Sequence, residues 1–330
     1  MNKRPSYLLQ VFAAAICLNC AGTYGVAAQH NYPEKTVRMF VGFGPGTAQD
    51  VIARILGDKL SQAWGKPVVI ENLPGAAGNI AATRVARAER DGYTLLFASA
   101  SMIVINQSLY EKLPYDPVKD LAPIAQVFSF PNVLFVNREL GAKTVQELII
   151  LARQQPNTLT FGHPGVGTTP HLAGELLKSR AKINVQNVPY RGTTNFIFDL
   201  IGGAINMAFL PTIGALAYRN ESKIIALAVT SLRRFSAFPD VPSIAEVGYP
   251  GFEATGWGAL MVPAGTPSAV IDKLHADAAA ILSLPEMQTR FEELGVAAIG
   301  NSPAEFAGVI QAEIPKWAEL IKEAGIKPMN

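Results

Sequence analysis

Cysteine is nearly missing: the 330 residues hold only Cys17 and Cys20, both within the first 28. That excludes a disulfide framework, and beyond residue 28 it also excludes a cysteine nucleophile and a thiolate metal site. Charge of one sign is missing too. Charged residues make up only 16% with no long run of either sign, which argues against a nucleic-acid footprint. Past the N-terminus, no apolar stretch approaches the ~20 residues that span a bilayer. The signatures G-x-S-x-G, H-E-x-x-H and G-x-x-x-x-G-K-[ST] are absent. Gly42-Phe43-Gly44-Pro45-Gly46 has the wrong spacing for a dinucleotide fingerprint, and Pro45 removes a backbone donor where a pyrophosphate needs one. The expectation is therefore no catalytic residue, no resident metal and no cofactor.

What is present is enough apolar sequence, 49% of the residues, to bury a full core, and the length suits two lobes. The first 28 residues read as a cleavable signal peptide. Lys3 and Arg4 form a basic start, Leu8 to Leu18 is apolar, and Val26-Ala27-Ala28 supplies small residues before Gln29. Its removal takes both cysteines and leaves basic and acidic residues in balance, which fits a bacterial periplasmic protein held by its core alone.

Strand-like and helix-like segments alternate, which predicts an α/β fold with mainly parallel sheets. Two stretches are built alike. In the first, Val37 to Phe43 reads as a strand, Gly44 to Asp50 as a Gly-rich turn, and Val51 to Leu56 opens an amphipathic helix. In the second, Leu159 to Phe161 leads into Gly162 to His171 and a helix bearing Leu172, Leu176 and Leu177. Glycines let backbone N–H groups approach a ligand, and a helix N-terminus adds unpaired N–H groups and partial positive charge. Two such units facing each other across a cleft make a site for an anion. Gly75–Asn79 and Ser99–Ser101 follow two more strands and are expected at the same edge, since ligands of open α/β sheets bind at the carboxyl ends of strands. The patterns Ser268–Leu282, Pro285–Leu294 and Pro303–Glu323 predict three late helices that return to the first lobe.

The chemistry-bearing residues of these turns leave alternatives open. Asp50 reads as a helix cap or as a contact to a ligand ammonium. Arg191 reads as a carboxylate partner or as an exposed turn residue. His163 and His171, with Glu175 beyond, hydrogen-bond the loop backbone or form an incomplete metal site. Thr47, Ser99, Ser101, Thr168, Thr169 and Thr193 are ordinary turn residues whose value is collective.

The ordered series Tyr32-Pro33, Val41 to Gly46, Glu71-Asn72-Leu73-Pro74-Gly75-Ala76-Ala77-Gly78-Asn79, Asp91-Gly92-Tyr93, Leu113 to Pro117, His171 to Glu175, Val188 to Gly192, Phe238 to Ser243 and Pro263 to Pro267 resembles a known family. It is that of the periplasmic solute-binding receptors of tripartite tricarboxylate transporters, the TctC or Bordetella uptake gene (Bug) family. The resemblance implies a two-lobed, type II clamshell periplasmic binding protein with a cleft between two doubly wound domains. It implies a first lobe of residues 29–130 and 257–330, a second of 131–256, and a hinge near Phe130 and Trp257. It further implies a monomer that takes a small carboxylate and partners the membrane subunits of such a transporter. A sensory or orphan receptor of the same fold, or an exported hydrolase, are the alternatives. The implied ligand contacts are Phe43, Gly46, Thr47, Ala48 and Asp50; Ser99 and Ser101; His163, Gly167, Thr168, Thr169 and His171; Tyr190, Arg191 and Thr193; and Phe209 with Leu210. Leu210-Pro211 stands where many relatives carry polar residues such as Asp-Asn. An apolar wall there favours an acid with an aromatic or aliphatic body over citrate.

Overall fold

The computed structural model describes residues 32–190 and 193–329. The signal segment, with both cysteines, lies outside them, as does Arg191. Two sheets carry the fold. The first is built from β1 (Val37–Val41), β2 (Val68–Asn72), β3 (Thr94–Ser99), β4 (Leu121–Phe130), β10 (Gly256–Pro263) and β11 (Ala297–Ala298), in the order β11-β4-β10-β3-β1-β2. The second takes β5 (Asn132–Asn137), β6 (Thr160–His163), β7 (Gln186–Pro189), β8 (Met207–Pro211) and β9 (Ile224–Val229), in the order β7-β6-β8-β5-β9. β1 is apolar and buried except at Arg38, because it runs parallel between β2 and β3 in mid-sheet.

The helices of the first unit are α1 (Ala48–Trp64), α2 (Asn79–Ala86) and the single turn α3 (Asn106–Leu109). The second unit carries α4 (Val145–Gln154), α5 (Thr169–Ala181), α6 (Thr193–Gly202) and the short α7 (Thr212–Ala215). The chain ends in α8 (Ser268–Leu282), α9 (Pro285–Glu293) and α10 (Pro303–Glu323), and both α8 and α10 pack against β4 of the first sheet. Gly65, at φ 60°, closes α1 in the left-handed conformation, and a Ser302–Glu305 capping box opens α10.

The sheets are mixed rather than mainly parallel. β1, β2 and β3 pair in parallel, as do β6, β7 and β8, whereas β10 runs antiparallel to β3 and β4, and β5 antiparallel to β8 and β9. Every antiparallel pair includes a strand joined to one of the two chain crossings between the sheets. Three strands escape the sequence pattern, among them the two-residue β11. β4 carries Pro123, which cannot donate to a ladder and sits opposite Met261 beside a register shift. β9 is a short continuous apolar run whose periodicity does not separate strand from buried helix.

The crossings pass side by side. Only Pro131 separates β4 from β5, and the return path brings Gly256 opposite Phe130. A Cβ at Gly256 would sit 2.3 Å from the Phe130 ring, so the approach requires glycine. Asn132, fully buried, donates its N–H to Thr230 Oγ1 (2.8 Å) and its Nδ2 to the Ala254 carbonyl (2.9 Å). Thr230 Oγ1 donates to that same carbonyl at 2.8 Å. Both chain passages are thus tied to one another at the level of the cleft. Among the described residues, no helix is long and apolar enough to cross a membrane.

Candidate functional site

Both Gly-rich loops use one device. Thr47 precedes α1 in extended conformation, but its side chain caps nothing in the helix; Oγ1 donates instead to the Gly44 carbonyl at 2.9 Å. Asp50, in the helix's first turn, reaches back and accepts from the Gly46 N–H at 2.9 Å. Across the cleft, Thr168 precedes α5, and its Oγ1 donates to the Gly165 carbonyl at 2.7 Å. His171, in the place of Asp50, accepts at Nδ1 from the Gly167 N–H at 3.2 Å. Each loop is clamped from behind while the first-turn N–H groups of two long helices stay uncapped by side chains, with the partial positive charge of a helix start.

The loops frame a cleft of about 600 Å³. Its first wall comes from the carboxyl ends of β1 and β3 and the start of α1, its second from those of β6 and β8 and the start of α5, and its floor from the crossing residues Phe130, Gly256 and Trp257. No Asp, Glu, Lys, Arg or His side chain is among the described residues that line it. Ser99 lines the cleft 4% exposed, and its Oγ has no hydrogen-bond partner in the protein. That leaves a buried hydroxyl without a partner at the edge of the cleft.

Of the residues expected from sequence, Phe43, Gly46, Thr47, Ala48, Ser99, Ser101, Thr168, Thr169 and Leu210 line this cleft. Six others do not, each for a visible reason. Asp50 is 2% exposed and saturated: besides Gly46 it holds Asn72 Nδ2 (2.8 Å) and Arg54 (2.9 Å), so it has no oxygen left for a ligand ammonium. Burial alone would raise its carboxyl, but Arg54, the Gly46 N–H and Asn72 outweigh that and hold it below the usual carboxylate range. His163 and His171 lie behind the second loop with ring centroids 4.3 Å apart, and His163 Nδ1 accepts from the Gly165 N–H at 3.3 Å. Gly167, at φ 76°, packs on Leu109 of α3, where a Cβ would come within 2.0 Å. Tyr190 donates its hydroxyl to Asp199 at 2.6 Å, which together with burial pushes the phenol up to about 12. Phe209 alternates away from Leu210 on β8 and packs edge-on against Phe161 in the core. Arg191 and the side chain of Thr193 lie outside the described residues.

Gly75–Asn79 does not reach the cleft either. Ala76 and Ala77 both hold positive φ, and Gly78 packs so tightly on Met102 that a Cβ would lie 2.2 Å from its methyl group. The turn therefore supports the segment after Ser99–Ser101 from below. Sequence reasoning missed Gln49 and Val51, which flank Asp50 at the start of α1, and Ile213 and Leu294, for which no local pattern exists.

Both histidines must stay neutral at Nδ1 to accept these N–H bonds. Burial lowers His163, and burial followed by His163 and Lys178 lowers His171 to about 3. A folded value below the unfolded 6.5 means that the unfolded chain binds more protons between those limits. The stability from a neutral His171 is thus complete above pH 6.5 and is lost as pH falls toward 3. Melting temperature should drop between pH 7 and 4, and His171→Asn, whose Oδ1 can take the place of Nδ1, should flatten that slope. An unchanged slope would remove His171 as its cause.

The profile described as tripartite tricarboxylate transporter family receptor matches residues 52–326. Protein BugT of Bordetella pertussis is 33% identical over 313 residues, covering 94% of this chain and 96% of BugT. The solved structure of R. palustris Rpa4515 with adipate is similar at a TM-score of 0.80 and 33% identity, over 90% of this chain and all of that one. MatC from Rhodopseudomonas palustris with bound malate gives 0.75 and 30%, over 88% of this chain and all of MatC. With the profile spanning most of the sequence and a cleft between two α/β lobes, the chain belongs to the tripartite tricarboxylate transporter receptor family.

Proposed function

We propose that this chain is a periplasmic receptor that captures a small carboxylate with a partly apolar body and hands it to the membrane subunits of a tripartite tricarboxylate-type transporter. The observation that carries the reading is the pair of uncapped helix N-termini facing one another across a cleft with no charged side chain among the described residues that line it. Such termini bind carboxylates through backbone N–H groups. The adipate and malate held by Rpa4515 and MatC support the same ligand chemistry here. Residues 29–130 with 257–330 act as one lobe and 131–256 as the other, turning about the crossings at Phe130–Asn132 and Thr230–Gly256. A ligand touching both lobes shifts the balance toward closure by its differential affinity for the closed form. Residues 1–28 serve as the export signal and are removed.

The test is thermal unfolding of residues 29–330 with aliphatic di- and tricarboxylates, aromatic acids and acidic amino acids. Protein unfolded and refolded to strip co-purified ligand is used. An acid at ~100 times its dissociation constant adds about 2.7 kcal/mol, a shift of several degrees. A shift confined to one acid class is expected; none from any carboxylate would overturn the reading. Delivery is tested by uptake of that acid into membrane vesicles carrying the transporter, which should require the receptor.

A further inference from the structure

Resting on that reading and its two lobes, we infer that Thr212 is a positioning residue, whose hydroxyl docks the first lobe onto the second as they close around a ligand. The dock joins two turns. Thr212 opens α7, directly after β8, and is fully buried. Its Oγ1 donates to the carbonyl of Gly295, in the turn between α9 and β11, at 2.5 Å. Gly295 sits at φ 72°, and a Cβ there would come 2.8 Å from Leu216 Cδ1 and 3.1 Å from the Thr212 carbonyl oxygen. The turn therefore lies hard against α7, an approach that needs glycine.

The neighbours of both residues line the cleft: Ile213 follows Thr212, and Leu294 precedes Gly295. Ile213 belongs to the second lobe, yet like Leu294 it packs against the core of the first, beside such residues as Val127 and Phe291. Ala215, two places on, is buried in the second lobe's own core with Leu210 and Phe238. One turn of helix is thus seated in two cores. A wall shared by two lobes exists only while they are together. Opening must therefore pull Gly295 off Thr212 and draw Ile213 out of the first core. The freed hydroxyl and carbonyl regain water, which keeps the contact reversible. α7 itself stays near the pivot, because the Thr212 N–H donates to the Pro131 carbonyl at the crossing, at 3.0 Å. Closure makes the hydrogen bond and the apolar end of the cleft in one step. Without the bond the closed form is less populated, and apparent affinity falls with that population.

Calorimetric and stopped-flow titration of residues 29–330 tests this with adipate, malate, hexanoate and benzoate, together with any panel acid that stabilises the parent. Thr212→Val keeps the shape and removes the donor. It should weaken the acids that bind by about 5- to 50-fold, through faster dissociation with association little changed. Thr212→Ser restores the hydroxyl and should bind nearly as the parent does. Gly295→Ala strikes the dock from the first lobe and should cause a similar loss. The double variant should be no weaker than the worse single one, since both remove the same contact. A role confined to stability would lower the acid-free melting temperature and leave affinity and dissociation rate at the parent's values. That result, or losses that add in the double variant, overturns the inference and leaves the carboxylate receptor standing. No binding by the parent to these four or to the wider panel removes the receptor reading itself.

Discussion

Ala48→Pro will weaken carboxylate binding by about 10- to 100-fold while leaving the melting temperature nearly unchanged. Ala48 is the first residue of α1, where proline's fixed φ fits and the missing N–H breaks no intrahelical bond. Thr47 before it already sits at φ −71°, ψ 161°, the region a residue preceding proline prefers. The substitution therefore removes one backbone donor from the cleft and little else. A hydrogen bond to a charged group is worth about 1.5–3 kcal/mol, and each 1.4 kcal/mol is tenfold in affinity. Ala48→Gly keeps the N–H and should bind nearly as the parent does, which separates the donor from the shape of the ring. Titration with the acid giving the largest thermal shift is the measurement. Equal binding by Ala48→Pro and the parent would mean that α1 does not hold the anion.

Asp50→Ala will lower stability by about 2–4 kcal/mol, or roughly 3–6 °C in melting temperature. It strips acceptors from the Gly46 N–H, Asn72 Nδ2 and Arg54 at once, at a residue 2% exposed. Arg54 is half exposed and can return to water, which keeps the loss below that of a fully buried ion pair. The pH signature is specific. Because the folded carboxyl is held below its usual 3.8, its contribution is present above that pH and is lost as pH falls through the folded value. The deficit of the variant should therefore persist from pH 8 to 5 and shrink in stronger acid. Affinity should also fall, because the loop that presents the α1 N-terminus loses its clamp. A variant melting with the parent would show that Asp50 does not hold that loop.

The two loops were legible because their signals are local. Glycine before a threonine, a titratable residue three places on and an apolar helix beyond are enough to mark Gly44–Asp50 and Gly165–His171 as helix starts. The roles of their titratable members were not legible. Asp50 and His171 reach back to the loops and away from the ligand space, an orientation set by side-chain rotamer and by what packs behind. Phe209 and Leu210 are adjacent in sequence, yet β-strand alternation sends one to the core and the other to the cleft. Only knowing which face of β8 meets which lobe decides between them.

By itself, the sequence determined the α/β class, the two Gly-rich helix starts, the late helices and the family, since each depends on periodicity, turn chemistry or an ordered series of motifs. The tertiary structure alone decided that β4 and β9 are strands and that the crossings lie side by side, tied by Asn132 and Thr230. It also decided that Ile213, Trp257 and Leu294 meet at one apolar wall. Those outcomes join residues more than 30 positions apart, and contacts at such separation are fixed by how the two sheets pack rather than by any local preference of the chain.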